Sequence, residues 1–470
     1  MDGSEFRGRE SCPRSGRGHV RSSALLLASI ETTEATYTGP RPFGAPGDPG
    51  TRLLAGPPEH AGPESLGDHV ARLGPVPDTA GDPGSFFESV RLSALCGRGG
   101  SSFPVARKLE TLMSSGGAPL IVVNGSESEP ASRKDATLVG LRPHLVLDGA
   151  VALAAATGAG EVVVVLHQSD HEPRAALERA LAERGAARRD DPRFSIVLGP
   201  DRYVAGEASA IVALLEGDDA KPRFNRRPAA LSGVGGRPTL IHNVETVAHL
   251  ALLARFGNDW FARVGSTASP GSTLVTLAGD VAAAGRVFEV VAPVSLGELL
   301  ATAGGVSTPP AAVLIGGYAG TWIDGSRAWD VAVDRDALSA VGASLGCGLI
   351  GVLPHGTCGI VETARLMSYL AGESSGQCGP CVFGLPALSD ALADLAAGRS
   401  NRGDVRRMHR LGAGVIGRGA CRHPDGAVTL VESALEVFAP EIRRHLGWKG
   451  CSGVGRGPIF PLPQTPTGWR

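Results

Sequence analysis

The sequence lacks two features that would point to a function class directly: an excess of charge and a long apolar run. Lys and Arg number 45 while Asp and Glu number 47, so the formal net charge is −2. A nearly neutral chain is not expected to bind nucleic acid by neutralising phosphates. No apolar run approaches the roughly 20 residues that a membrane-spanning helix needs, so direct membrane insertion is not expected either.

Cysteine is sparse, and its context indicates metal ligation rather than disulfides. The short apolar segment at 24–28 is followed by acidic residues, so we do not interpret it as a secretory signal. A large chain without such a signal is not expected to depend on a disulfide framework. We expect Cys96 to be a packed small residue, and Cys12 and Cys451 to lie in flexible ends without a role. The eight cysteines are Cys12, Cys96, Cys347, Cys358, Cys378, Cys381, Cys421 and Cys451.

Glycine is abundant, and one glycine-rich stretch is the centre of the sequence. Residues 97–104 read Gly-Arg-Gly-Gly-Ser-Ser-Phe-Pro. Glycine permits positive φ and leaves no Cβ to obstruct a ligand, so such a loop can direct several N–H groups at one anion. Arg98 adds a guanidinium, and Lys108 adds a second cation further along. Taken alone, an ordinary glycine-rich turn explains this stretch equally well.

Polar residues follow a short apolar run that we interpret as a buried strand. The run Leu120–Val123 ends in the turn Asn-Gly-Ser-Glu-Ser-Glu-Pro at 124–130. Open α/β sheets bind ligands at the carboxyl ends of their strands, so this turn is a candidate site. The pair Gly206-Glu207 and the segment 238–246 supply further polar residues much later in the chain.

Composition and periodicity separate the first part of the chain into three regions. The apolar share is 43% of 470 residues, enough for roughly two to four domains. Residues 1–85 are rich in Gly, Pro, Arg, Ser and Asp and are expected to form a mostly disordered leader, with a short helix at 66–73. Residues 86–262 alternate strands and helices, which predicts a doubly wound α/β domain. Residues 270–346 are predicted to form a smaller, strand-rich domain.

The last part of the chain is predicted to be helical. Residues 355–448 are expected to form a bundle of four helices, and residues 449–470, which contain four prolines, a flexible tail. The predicted helices lie at about 359–372, 379–397, 402–416 and 429–446.

In this order, these segments resemble the NADH- and FMN-binding subunit of respiratory complex I and its soluble hydrogenase and formate dehydrogenase relatives. The resemblance extends from about Glu88 to about Phe438. It implies a doubly wound flavin-binding α/β domain, a small β-grasp domain and a C-terminal four-helix bundle. It also implies a cytoplasmic protein, or one peripheral to a membrane complex.

The resemblance further implies which residues contact the flavin and its electron donor. Glu129 and Glu207 match acidic residues beside the flavin and the nicotinamide, and we assign them catalytic roles. Each of these acids, considered alone, is explained equally well as a solvated loop or helix-start residue. The residues implied to hold FMN are Gly97, Arg98, Gly99, Gly100, Lys108, Asn124, Glu127, Ser128, Tyr203, Gly206 and Asn243.

Four departures from the family pattern weaken the NADH half of this prediction. Ser126 replaces an acidic residue, Ala208 replaces the second of two glutamates, and His242 replaces the first of two asparagines. An aromatic residue expected near Pro228 has no obvious counterpart. Flavin binding is therefore better supported by the sequence than NADH binding.

A second motif predicts an iron–sulfur cluster. In the resembled family, Cys-x2-Cys-x2-Cys and a distant fourth cysteine hold a [4Fe–4S] cluster, and a Cys-x2-Cys at a helix start suits such a cluster. Here Ser375 stands in the first position, so three ligands remain, Cys378, Cys381 and Cys421.

The fourth cluster position has several alternatives. It is filled by Ser375 as an alkoxide, by water or an exogenous ligand, or by Cys347 or Cys358. Otherwise the cluster is [3Fe–4S] or missing. His423 is a weaker candidate ligand because it follows Cys421 closely.

Together these features predict an oxidoreductase that passes electrons from NADH through FMN to an iron–sulfur cluster. The family pattern implies a thioredoxin-like [2Fe–2S] partner as the next acceptor. Two alternatives remain open: an FMN-binding electron-transfer protein that no longer uses NADH, and a non-catalytic assembly or binding module.

Overall fold

The structure is a computed structural model that describes residues 43–45, 47–48, 50–187, 191–224, 227–447, 451, 453 and 457–463. Its ten strands are β1 (Phe43–Gly44), β2 (Leu120–Asn124), β3 (Glu161–His167), β4 (Arg193–Gly199), β5 (Thr239–Asn243), β6 (Thr273–Gly279), β7 (Val287–Val290), β8 (Pro310–Ile315), β9 (Thr321–Asp324) and β10 (Leu349–Pro354). These are the strands of the described residues.

The described residues also form sixteen α-helices. Those before the mixed sheet are α1 (Leu66–Leu73), α2 (Pro83–Leu92), α3 (Val105–Met113), α4 (Lys134–Leu141), α5 (Pro143–Thr157), α6 (His171–Ala187), α7 (Ala208–Leu215) and α8 (Val244–Phe261). The later ones are α9 (Leu296–Thr302), α10 (Gly325–Ala328), α11 (Arg335–Ala340), α12 (Gly359–Gly372), α13 (Leu385–Ala396), α14 (Arg402–Val415), α15 (His423–Val437) and α16 (Ala439–Leu446).

A four-stranded parallel sheet, in the order β4-β3-β2-β5, organises the first domain. Its strands are runs of β-branched residues, and side chains on both faces are buried, as expected for a sheet covered on both sides. Val162 and Val164 join the large core that includes α5 and α8, while Val163 and Val165 join a smaller core with α7. The predicted α/β fold class is confirmed.

A six-stranded mixed sheet follows, in the order β1-β7-β6-β10-β8-β9. Strands β6 and β10 form a central parallel pair. The antiparallel strand β7 lies next to β6, and the antiparallel strand β8 lies next to β10, the arrangement expected of a β-grasp domain. The predicted limits of 270–346 were too narrow, because β10 lies beyond residue 346. The sequence alone gives no clear boundary between β10 and the helical region that follows it directly.

The helical region contains the predicted helices with two differences. The second predicted helix begins with a π-helical turn at Pro380–Gly384 before continuing as α13. The fourth is two helices, α15 and α16, which meet at Phe438. Phe438 is 3% exposed and its ring packs against Trp322 of β9, so the chain bends where it meets the mixed sheet.

Some of the described residues near both ends of the chain are packed, contrary to the prediction. The predicted helix at 66–73 is present, but the expected disorder up to residue 85 is wrong for the described part, since Leu53 and Leu54 are fully buried. Their amides donate to the buried carboxylate of Glu289 at 3.0 and 2.9 Å. In the predicted flexible tail, Phe460 is 1% exposed, so this residue anchors the described segment 457–463 to the core. Cys12 and the rest of residues 1–42 lie outside the described residues.

Within the described part of the chain, no single helix combines the length and apolar character needed to cross a membrane. Helices α4 and α5 reach that length and composition only as a pair, and they meet at a bend of 92°.

Candidate active site and cluster thiols

The carboxyl edge of the parallel sheet brings together the polar residues that follow β2 and β5. These strands are adjacent and parallel, and Asn124 is paired in register with Asn243. Asn124 Nδ2 donates to the carbonyl of Gly206 at 2.9 Å, so the turn before α7 is fixed to the same edge. Three segments that are far apart in sequence therefore converge at one place.

The glycine loop lies against this edge. A Cβ added at Gly99 would lie 3.2 Å from Asn243 Cβ, and Gly100 has a φ of +101°. The Arg98 amide donates to Thr246 Oγ1 at 2.9 Å, which fixes the loop to the first turn of α8. The amides of Gly99, Gly100 and Ser101 donate to no other described residue. They are therefore available to an anion.

The two predicted cations take different directions. Lys108 Nζ donates to the carbonyl of Ile241 at 3.1 Å, and burial lowers the pKa of this lysine. Arg98 turns away from the sheet, because its Nη2 donates to the carbonyl of Pro270 at 3.2 Å. Its guanidinium lines a cavity of about 230 Å³ between the glycine loop and the mixed-sheet domain.

A buried ion network, which the sequence analysis missed, lies below the glycine loop. Lys134 Nζ contacts Asp135 at 2.7 Å and Glu245 at 2.9 Å, and all three residues are buried. Burial alone would lower the pKa of Lys134, but the two carboxylates raise it. Asn243 Nδ2 donates to Asp135 at 2.6 Å, so the network fixes the asparagine that faces Gly99.

Glu127 is half-buried, and its carboxylate is held by two backbone amides and a hydroxyl. Its carboxylate accepts hydrogen bonds from the amides of Asp135 and Ala136, at 3.2 and 3.0 Å, and from Ser132 Oγ at 2.5 Å. It therefore stabilises the start of α4, a role favoured by the helix dipole. Its predicted contact with the flavin stays a prediction.

Glu129 is the buried acid of the site. It is 6% exposed, and its Oε2 accepts from the Tyr318 amide at 2.9 Å and from the Tyr203 hydroxyl at 3.2 Å. Burial raises its pKa to about 8. Its Oε1 is buried without a partner, so it can hydrogen-bond a ligand.

Glu207 connects the sheet edge to the helical region. Its side chain caps α7 by accepting from the amides of Ser209 and Ala210 at 2.8 and 3.2 Å. Burial raises the pKa of Cys421, and the nearby charge of Glu207 raises it further. The predicted acid and the predicted cluster ligand are therefore neighbours.

Gly206 and Ser128 are in close contact. A Cβ added at Gly206 would lie 2.7 Å from Ser128 Oγ, so the two turns can meet only because residue 206 is a glycine.

Two exposed rings near the site were not assigned by the sequence analysis. Phe103, at the end of the glycine loop, is 46% exposed, and Phe224 is 73% exposed. Phe224 lies four residues before Pro228, close to where an aromatic was expected and not found. A ring that borders a polar site can stack on a ligand bound there.

The three cluster thiols lie together. Cys378 and Cys381 are in side-chain hydrogen-bonding contact, and Cys421 is near enough to affect the pKa of Cys381. Burial raises the pKa of Cys381 to about 12. Ser374, rather than Ser375, is the serine that hydrogen-bonds Cys381.

The alternatives for the fourth cluster position have other contacts. Cys347 Sγ donates to the carbonyl of Gly316 at 3.4 Å, and Cys358 Sγ lies 3.2 Å from His445 Nε2. His423 Nε2 donates to the carbonyl of Leu370 at 2.8 Å, which leaves Nδ1 buried without a partner. Burial lowers the pKa of His423 to about 4, so the ring is neutral.

The residues present fit a phosphorylated flavin and an iron–sulfur cluster. Two buried polar atoms without partners belong to the sheet edge and its loops: Glu129 Oε1 and His242 Nε2. Together with the available loop amides, they suit a ligand that is both anionic and hydrogen-bonding. Three grouped thiols are the donor set of a cluster.

Comparisons with known proteins agree with this arrangement. Residues 90–252 match the family described as the Nuo51 FMN-binding domain, and residues 362–445 match the NADH-ubiquinone oxidoreductase-F iron-sulfur binding region. The NADH-quinone oxidoreductase-F protein of Streptomyces coelicolor is 31% identical over 387 residues, covering 78% of this chain and 84% of its own. Its Mycobacterium bovis counterpart is 32% identical over 395 residues, covering 78% and 86%.

A solved structure is also similar. In the crystal structure of an NAD+-reducing [NiFe]-hydrogenase in the H2-reduced state, one chain matches with a TM-score of 0.72 and 26% identity. The match covers 79% of this chain but only 64% of that hydrogenase chain.

Proposed function

The chain belongs to the NADH-quinone oxidoreductase-F family, and we propose that it passes electrons from NADH through FMN to an iron–sulfur cluster. One observation carries this proposal. Asn124 at the sheet edge donates to the Gly206 carbonyl, and the charge of the next residue, Glu207, is close enough to raise the pKa of Cys421. A ligand at the sheet edge would therefore be close to the cluster thiols.

When bound, FMN converts a two-electron donation into single-electron steps. The amides of Gly99, Gly100 and Ser101 are suited to its phosphate, and Asn243 keeps the loop in place from below. Lys108 lies beside β5 as a cation that can stabilise negative charge.

We assign Glu129 to the donor side of the site. Its raised pKa keeps the carboxyl protonated near neutral pH, so Oε1 can donate a hydrogen bond to a ligand oxygen or nitrogen. The exposed rings of Phe103 and Phe224 are suited to stacking on the base or the nicotinamide of NADH.

Relatives that belong to larger complexes support the presence of a partner protein. We propose that it carries a [2Fe–2S] centre and docks beside the cluster thiols. Val382 and Phe383, which adjoin Cys381 on the π-helical turn, are 44% and 76% exposed. Exposed apolar residues next to a redox centre favour a protein acceptor.

An anaerobic titration tests the function. The full chain, purified with FMN and cluster, is mixed with NADH while the visible spectrum is recorded. Loss of flavin absorbance followed by cluster bleaching is the expected result. Flavin that is bleached by dithionite but not by NADH would contradict NADH use.

Those same spectra decide between the proposal and a second candidate, an FMN-binding protein that takes electrons from another protein. The substitutions at Ser126, Ala208 and His242 favour this candidate, and His242 is buried with a pKa lowered far below its usual range by burial. Under that function, flavin binds normally and only the response to NADH is lost.

A further inference from the structure

A second group of metal-ligating side chains lies apart from the cluster thiols. Cys358 precedes α12, His445 lies in the last turn of α16, and Cys451 follows that helix. The sulfur atoms and one imidazole nitrogen all lie within 4.8 Å of one another. Among the described residues, no other three His, Cys, Asp or Glu side chains meet this spacing.

The group is buried and closely packed. Cys358 is 1% exposed and His445 is 4% exposed, and Cys358 Sγ lies 3.2 Å from His445 Nε2. Glu441 precedes His445 by four residues, so both side chains lie on one face of α16. Its Oε2 is 3.3 Å from Cys358 Sγ and accepts from the Gly359 amide at 2.7 Å.

The backbone holds Cys451 in this position. A Cβ added at Gly453 would lie 2.3 Å from the amide nitrogen of Cys358, so only glycine allows this approach. Further on, the amides of Ile459 and Phe460 donate to Glu362 of α12 at 3.3 and 2.9 Å. The segment that carries Cys451 is thus fixed against α12 beyond the cysteine.

The group concentrates lone pairs around Cys358. Its sulfur contacts the Cys451 thiol, Glu441 Oε2 and His445 Nε2, and each of these can offer a lone pair. The Ala396 backbone also hydrogen-bonds the imidazole, as backbone carbonyls commonly do with metal-bound histidines. A cation would serve all of these lone pairs at once.

We propose that Cys358, His445 and Cys451 bind one zinc ion that fastens the C-terminal segment to the helical region. Zinc prefers this donor set, with Zn–S of about 2.3 Å and Zn–N of about 2.0 Å in a tetrahedron. Such ligands lie roughly 3.3–3.8 Å apart, and the observed group needs only a small contraction from its 4.8 Å limit. Binding releases the two thiol protons to solvent and involves no change of oxidation state.

Three protein ligands leave one coordination position of the tetrahedral zinc free, and Glu441 is the side chain beside it. The site is independent of the proposed redox function, because it uses none of the cluster thiols. Cys358 and Cys451 also lie outside the residues 362–445 that match the family's iron–sulfur region.

Metal analysis of the full chain tests the proposal without any substitution. The protein is purified with its cofactors and without chelators, then dialysed against metal-free buffer. We expect about one zinc per chain, and zinc-edge X-ray absorption should show two sulfur neighbours and at least one nitrogen. Absence of zinc, or a shell of nitrogen and oxygen only, would overturn the proposal.

Variants locate the site. Cys451→Ser and His445→Gln should each lower bound zinc several-fold while the iron content is retained. His409→Gln is the matched control, because His409 is a half-exposed histidine of the same region that pairs with Glu432. It should keep zinc at the wild-type level.

A disulfide is the competing explanation for two close cysteines. Peptide mapping of the alkylated, unreduced chain would detect a cross-linked Cys358–Cys451 peptide. If that peptide accounts for most of the protein, the zinc site is excluded. If both cysteines are recovered free after zinc is chelated, the proposal is supported.

Discussion

The helical region holds two groups of cysteines that differ in how the chain brings them together. Cys378 and Cys381 are three residues apart on one turn, so their grouping is local. Cys358 and Cys451 come from opposite ends of the region and meet only because α12, α16 and the final segment pack together. Local spacing is visible in a sequence, whereas the second group is a product of tertiary structure.

Their surroundings differ as well. The cluster thiols lie next to Glu207 and beside the exposed residues Val382 and Phe383, as electron entry and exit require. The second group faces the buried core of the helical region, and its neighbouring acid is Glu441 of α16. The cluster thiols are placed for electron transfer, whereas the second group is placed to fasten the final segment to the helical region.

The substitution with the largest expected effect distinguishes the cluster thiols from the proposed zinc ligands. Cys381→Ala should abolish most cluster iron, because two thiolates cannot retain the cluster that three can hold. Zinc content should not change. Iron and zinc are measured by mass spectrometry of the same sample, with Cys96→Ala as the control. An equal loss of iron and zinc would show that the two groups of cysteines do not bind metal independently.

Phe460→Ala tests whether the final segment is structural. The ring is 1% exposed, and removing a buried phenylalanine typically costs about 3–5 kcal/mol of unfolding free energy. We expect a clear drop in Tm with an unchanged ratio of iron to flavin in the protein that remains folded. Leu462→Ala, at a half-buried position, should cost less. Equal Tm values for the two variants would argue against a packed segment.

Glu129→Gln should remove the part of the pH dependence of folding stability that comes from this buried acid of the flavin site. The folded pKa of Glu129 is raised to about 8, so the folded state holds a proton that the unfolded state releases at lower pH. This raised pKa makes stability decrease as pH rises from about 4.5 to about 8. Thermal unfolding across this range should be flatter for the variant. An unchanged pH dependence in the variant would contradict this role for Glu129.

Phe103→Ala should weaken NADH binding without affecting either metal. Loss of one stacking contact of about 0.5–1.5 kcal/mol corresponds to a roughly two- to twelvefold increase in KM. Steady-state rates with a small-molecule acceptor provide the measurement. Phe256→Ala is a control, since that ring is 41% exposed but packs on Trp260. A decrease in kcat at unchanged KM would contradict a stacking role.

Ser375→Cys should produce the smallest change. It supplies the fourth thiolate at the position where the family pattern has one, so it should raise the iron retained after dialysis modestly, by about twofold or less. Zinc should be unaffected. If iron retention falls, the position is not available to the cluster.

The sequence was sufficient to predict the sheet edge, because parallel strands place their carboxyl ends together whatever the rest of the chain does. It did not predict the network of Lys134, Asp135 and Glu245, since Lys134 and Glu245 are 111 residues apart and each resembles an ordinary helix-start residue.

The direction of Arg98 depended on the mixed-sheet domain, which supplies the Pro270 carbonyl. Cys451 was wrongly assigned to a flexible end, because burial there depends on contacts with α12 and α16.

The ring of Phe460 has a consequence for how the protein is made. It fills a space left by glycines in two strands of the mixed sheet: a Cβ at Gly351 would lie 2.6 Å from the ring and one at Gly279 3.0 Å. Both strands leave the ribosome before residue 460 does, so this part of the core is completed only after the helical region that follows the sheet has been synthesised. Until then, the space beside Gly351 and Gly279 lacks the ring that fills it in the folded chain.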